Sequence, residues 1–127
     1  MRTVVVLVVD DDKSSRSLLE LALSTEGYQV ATAANGVAAL AGARWLHPDV
    51  ILLDLAMPIM DGFAFRAAQL GDPSIAAIPV ICISGRHDSD EVMRTLKLAG
   101  SAAKPFAIDD VMLQVRDVTR ERPSAIM

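Results

Sequence analysis

The chain has 127 residues and a net charge of −4, enough for one domain with a proper core and without a basic face for nucleic acid. Hydrophobic residues make up 52% of it but aromatics only 4%, so Val, Ile, Leu and Ala must build the interior. No apolar run nears the ~20 residues of a membrane span. Met1-Arg2-Thr3 and the apolar stretch after it are too short for a secretory signal and run into Asp10, where small cleavage-site residues belong. A cytoplasmic protein with no membrane partner is expected.

In chain order, the first apolar run, Val4 to Val9, stops abruptly at Asp10-Asp11-Asp12. A helix is predicted from Ser14 to Glu26, closed by Gly27. Val30 to Ala33 reads as a weaker strand. A second helix runs from Gly36 to Leu46, with Pro48 beyond it and Trp45 expected to pack at its end. The run Val50 to Leu53 delivers Asp54 at its tip. A third helix starts near Gly62, with Asp61 ahead of it, and fades before Gly71-Asp72-Pro73. Val80 to Ile83 is the fourth run, with Ser84 at its end. The lone Cys82 lies inside it, has no disulfide partner and is expected to be a small buried hydrophobe. A fourth helix should place Val92, Leu96 and Ala99 on one face before Gly100, and a fifth Val111, Val115 and Val118. His47 and His87 have no ligand-spaced partners and are expected at the surface.

β-branched runs alternating with helices read as a parallel sheet covered on both faces, a three-layer α/β sandwich. In such sheets ligands gather at the carboxyl ends of the strands. Asp10, Asp54 and Ser84 all stand there. Two adjacent strands ending in carboxylates would build an acidic pocket in need of a cation.

Val8-Val9-Asp10-Asp11, Asp54 to Gly62 (Asp-Leu-Ala-Met-Pro-Ile-Met-Asp-Gly), Ser84-Gly85 and Lys104-Pro105-Phe106 together resemble the receiver domain of bacterial response regulators. The resemblance spans nearly the whole chain, in the family's order. It implies a flavodoxin-like (βα)5 fold with strand order 2-1-3-4-5, a receiver domain over 1–120 and a tail over 121–127. It further implies that Asp54 is phosphorylated by a sensor histidine kinase or a histidine phosphotransfer protein. Mg²⁺ would bind to Asp10, Asp11, Asp54 and the backbone carbonyl of Ala56. An oxygen-only site of few protein ligands suits that ion, and carboxylates ~5 Å apart would otherwise repel by roughly 3 kcal/mol per pair at an effective dielectric of 20. Ser84 and Lys104 would contact the phosphoryl group, with Pro105, in a cis peptide, aiming the lysine. Ala56 and Arg86 would tune phosphate lifetime. Pro58, Asp61 and Gly62 read as structural, and Asp12 as the cap of the first helix.

The chain departs from the family before Lys104. Only Ser101-Ala102-Ala103 separate it from Gly100, so the fifth strand should be short, and the family's aromatic residue there is missing. That leaves the placement of Lys104 open and sets an alternative beside the switching module: a receiver-like interaction domain that no longer switches through Ser84 and the aromatic. A true phosphatase is disfavoured, because such enzymes carry a second Asp where this chain has Ala56. A stand-alone regulator is expected, with a receiver cut from a longer protein as the alternative. The downstream partner is a protein of unknown identity, and homodimerisation is left open.

Overall fold

Each polar strand end and helix cap in this chain is followed by an element of the expected type. The computed structural model describes residues 3–84 and 90–120. Strand β1 (Val5–Val9), helix α1 (Lys13–Thr25), β2 (Gln29–Ala33), α2 (Gly36–Leu46), β3 (Val50–Leu53), α3 (Gly62–Leu70), β4 (Val80–Ser84), α4 (Asp90–Thr95), β5 (Gly100–Ala103) and α5 (Ile108–Arg120) follow one another. All strand pairs are parallel and the sheet order is β2-β1-β3-β4-β5. This is the flavodoxin-like arrangement, with the short fifth strand expected from sequence. Among the described residues, no helix is long and apolar enough to cross a membrane.

The strand pleat divides the core in two. Leu7, Val9, Ile51, Leu53, Val80 and Cys82 face a layer with Leu40 of α2, Phe65 of α3 and Leu96 after α4. Val6, Val8, Leu52, Ile81 and Ile83 face Leu19 and Leu23 of α1 and Val111 and Val115 of α5. Burying side chains of this size contributes roughly 1.5–3 kcal/mol each.

The caps explain where the helices begin and end. Asp12, Asn35 and Asp61 accept hydrogen bonds from the amides of Ser15, Ala38 and Ala64. Gly27, at φ 94, closes α1: its amide bonds Ser24 O and that of Tyr28 bonds Leu23 O. Lys97 closes α4 in the same way at φ 54, with the Leu98 amide on Met93 O. The fourth helix is therefore shorter than its apolar spacing suggested. Leu98 packs on the core while Ala99 is exposed, its amide bonded to Val80 O.

Trp45 also departs from expectation, being 84% exposed. Ala39, Leu40 and Ala43 supply the buried face of α2, and Trp45, two positions past Ala43, points away from it. His47 is exposed and ends α2 in a left-handed conformation, as a surface residue; His87 lies outside the described residues.

Candidate functional site

Two neighbouring strands end one residue before a carboxylate. Val9 of β1 pairs with Leu53 of β3, so Asp10 and Asp54 leave the sheet side by side. The amide of Asp10 bonds Ala33 O and that of Asp54 bonds Val9 O, which extends the ladder to both residues. Asp54 is only 4% exposed, and Asp10 is buried too. Asp11 is exposed, yet one oxygen from each of Asp10, Asp11 and Asp54 falls within 4.8 Å of the others.

Lys104 enters from the end of β5. Its Nζ lies 2.7 Å from Asp10 Oδ2 and 3.2 Å from Asp54 Oδ2. The other oxygens are held by backbone: the Asp12 amide bonds Asp10 Oδ1 at 2.9 Å, and the Ala56 amide bonds Asp54 Oδ1 at 3.0 Å. Arg16 Nη1 donates to the Asp10 carbonyl at 2.8 Å. Burial pushes the Asp54 carboxyl above its ordinary value; the Ala56 amide and Lys104 oppose this, and the charge of Asp10 reinforces it. For Lys104, burial pulls the ammonium down, but hydrogen bonding and charge from Asp10, joined by Asp54, outweigh it and hold the group above the usual lysine value.

The short fifth strand does not displace Lys104. Ser84 pairs with Ala103, and the Lys104 amide bonds Ser84 O at 2.7 Å, so the ladder fixes the lysine one residue past the strand end. The Lys104–Pro105 peptide is cis. Ser84 is fully buried at the end of β4. Ala56 lines, with Asp11, Met57, Pro58 and Phe63, a cavity of about 390 Å³ beside the carboxylates. Gly62 is required for packing: a Cβ there would come within 2.6 Å of Leu55 Cα and 2.7 Å of Asp54 O. Arg86 lies outside the described residues.

Sequence reasoning missed the group that holds α4 and the approach to β5. Arg66 of α3 is 4% exposed. It donates to the Leu96 carbonyl at 2.8 Å, the Lys97 carbonyl at 2.8 Å and Gln69 Oε1 at 2.7 Å. Gln69 Nε2 in turn donates to the Ile75 and Ile78 carbonyls. Burial lowers the guanidinium's affinity for its proton. From α5, Gln114 Nε2 bonds the Ser101 carbonyl at 2.8 Å. A strand of Gly, Ser and Ala has little apolar surface to anchor it, and these polar contacts take over that task. The available signal was the i, i+3 spacing that puts Arg66 and Gln69 on one face of α3.

The three carboxylates form an oxygen-only donor set suited to a hard divalent cation, and Lys104 can pair with an anion brought to them. The family described as "Response regulator receiver domain" matches residues 6–116. The chain is 42% identical over 117 residues to the Response regulator PleD of Caulobacter vibrioides, covering 91% of this chain and 26% of that protein. It is 34% identical over 122 residues to the Transcriptional regulatory protein KdpE of Mycobacterium tuberculosis, covering 94% and 53%. It thus spans about a quarter of one curated relative and about half of the other. The chemotaxis response regulator CheY4 of Vibrio cholerae superposes with a TM-score of 0.85 at 30% identity, covering 92% of this chain and 99% of that one. The receiver domain of Francisella response regulator 1452 does so at 0.83 and 27%, covering 94% and 98%.

Proposed function

This chain belongs to the response regulator receiver domain family, and on that premise we propose that it is a phosphoacceptor signalling module in which Asp54 takes a phosphoryl group from a phosphohistidine. The donor is a sensor histidine kinase or a histidine phosphotransfer protein. Its strongest support is the shared counter-ion: one ammonium, Lys104, reaches the carboxylates of both Asp10 and Asp54.

A carboxylate oxygen of Asp54 attacks phosphorus, the P–N bond breaks, and the imidazole leaves with the bonding pair and takes a proton. The product is an acyl phosphate on Asp54. Lys104, already poised between the two carboxylates, swings its hydrogen bonds to the phosphoryl oxygens. Asp10, Asp11, Asp54 and the Ala56 carbonyl would hold Mg²⁺. The ion, when bound, supplies positive charge against the converging anions. Ser84, one ladder position from Lys104, is suited to donate its hydroxyl to the new phosphoryl group. Beside Lys104, Ser14, Leu18, Pro105 and Phe106 line a second cavity of about 240 Å³, which leaves the lysine side open to an approaching donor.

A receiver-like interaction domain that does not switch is the second reading. What favours it is β5, where Ser101 and Ala102 stand in place of an aromatic side chain. Intact mass after incubation with Mg²⁺ and phosphoramidate separates the two. One added phosphoryl group in the wild type and none in Asp54→Asn is expected; no addition in either favours the second reading.

A further inference from the structure

Ile59 is held in a backbone conformation that its own side chain disfavours. Its φ is 69, and the Met60 amide bonds the Pro58 carbonyl at 2.7 Å, a three-residue turn of the rare left-handed kind. A β-branched residue there is strained, where Gly or Asn would sit more easily. The side chain recovers nothing by burial, being 83% exposed. The neighbours dictate the turn. The Gly36 amide bonds the Met60 carbonyl at 3.1 Å, and a Cβ on Gly36 would come within 2.6 Å of Met60 Cγ. Asp61 caps α3, and the Gly62 amide bonds Leu55 O. The fold thus fixes the loop and presents a branched apolar group to solvent at a cost to itself.

That loop walls the cavity beside the phosphoacceptor. Pro58, next to Ile59, lines it, and so does Phe63, itself partly exposed. With Asp54 almost fully buried, a protein donor must bring its histidine down past this rim and cover it. Strained residues concentrate where function requires them, and an apolar side chain that a partner buries completely can anchor it. Resting on the phosphoacceptor reading, we propose that Ile59 is a docking anchor for the phosphodonor protein, which meets it with apolar side chains around its phosphohistidine. Ile59 then governs transfer from a protein donor and leaves transfer from a small one alone.

The test compares wild type, Ile59→Asn and Ile59→Leu with two donors. One is phosphoramidate; the other is the fastest donor to the wild type in a panel of autophosphorylated sensor histidine kinases. Ile59→Asn should melt no lower than wild type and accept from phosphoramidate at the same rate, yet accept from the kinase about tenfold more slowly. Ile59→Leu should stay within about twofold of wild type with the kinase. Equal kinase transfer to wild type and Ile59→Asn overturns the anchor. So does an equal slowing with both donors, or the lack of any kinase faster than phosphoramidate. A wild type that takes phosphate from neither donor removes the phosphoacceptor reading itself, a result distinct from these.

Discussion

Asp10 and Asp54 are held in the same way: each gives one carboxylate oxygen to the backbone amide two residues ahead and the other to the ammonium of Lys104. The match follows from the sheet, because two parallel neighbours that end in register turn out of the ladder alike. It places two nearly buried anions around a single cation. The site is electrostatically loaded before any ligand arrives.

Asp54 should therefore cost the unliganded protein stability at neutral pH. Its carboxyl is raised, chiefly by burial, so the folded state binds the proton more tightly than the unfolded chain does. Stability from that group is present at low pH and is lost as pH rises through the folded value. Asp54→Asn should be more stable than wild type at pH 7 without divalent ions, by on the order of 1 kcal/mol. The gap should close as pH falls toward the ordinary carboxylate range. Urea midpoints across pH 3–7 check this, and a variant less stable at pH 7 would contradict it.

Lys104 should act in the opposite sense. Its raised ammonium contributes stability that is complete below the usual lysine value and lost only as pH rises through the folded one. Lys104→Met leaves two buried carboxylates without their cation and should cost about 2–3 kcal/mol at pH 7. Millimolar Mg²⁺ should restore part of that loss in urea titrations. A variant as stable as wild type, with no response to Mg²⁺, would show that the lysine does not neutralise the pair.

Arg66 carries a comparable structural load away from the acids. Arg66→Ala strips donors from the Leu96 and Lys97 carbonyls and from Gln69, although it also removes a buried charge. A net loss of about 2 kcal/mol is expected. Hydrogen exchange at the Leu98 amide, which bonds Met93 O at the end of α4, should accelerate more than at Asp54, whose amide bonds Val9 O in the central ladder.

On the phosphoacceptor reading, Ala56 should set how long a phosphoryl group on Asp54 lasts. It lines the cavity beside Asp54 with a methyl group that cannot orient an attacking water. Ala56→Asn should lose the phosphoryl group several-fold faster than wild type, followed by intact mass over time. Equal lifetimes would remove position 56 from the list of controls.

What could be read from sequence followed from local rules. A short apolar run rich in Val and Ile, broken by Asp10 or Asp54, fits a buried strand reaching its tip better than a helix. Asp12 and Asp61 mark helix starts because their side chains satisfy amides that the first turn leaves open. The misreadings arose where tertiary contacts decided. A lone tryptophan is normally well buried, but α2 turns Trp45 outward because small residues already fill its inner face. Helix α4 ends early at Lys97, with no glycine to announce it, under carbonyls capped from α3. Arg66 drew no reading from sequence, because nothing local says that a guanidinium will find backbone carbonyls thirty positions away.

The central claim is that Asp54, and not its neighbours, takes the phosphoryl group. Borohydride reduces an aspartyl phosphate to homoserine, so peptide mapping of protein treated with Mg²⁺ and phosphoramidate locates the acceptor. Homoserine is predicted at position 54, with Asp10 and Asp11 unchanged. Conversion at Asp10 or Asp11, or an unmodified Asp54 in protein that has gained phosphate, would contradict the account.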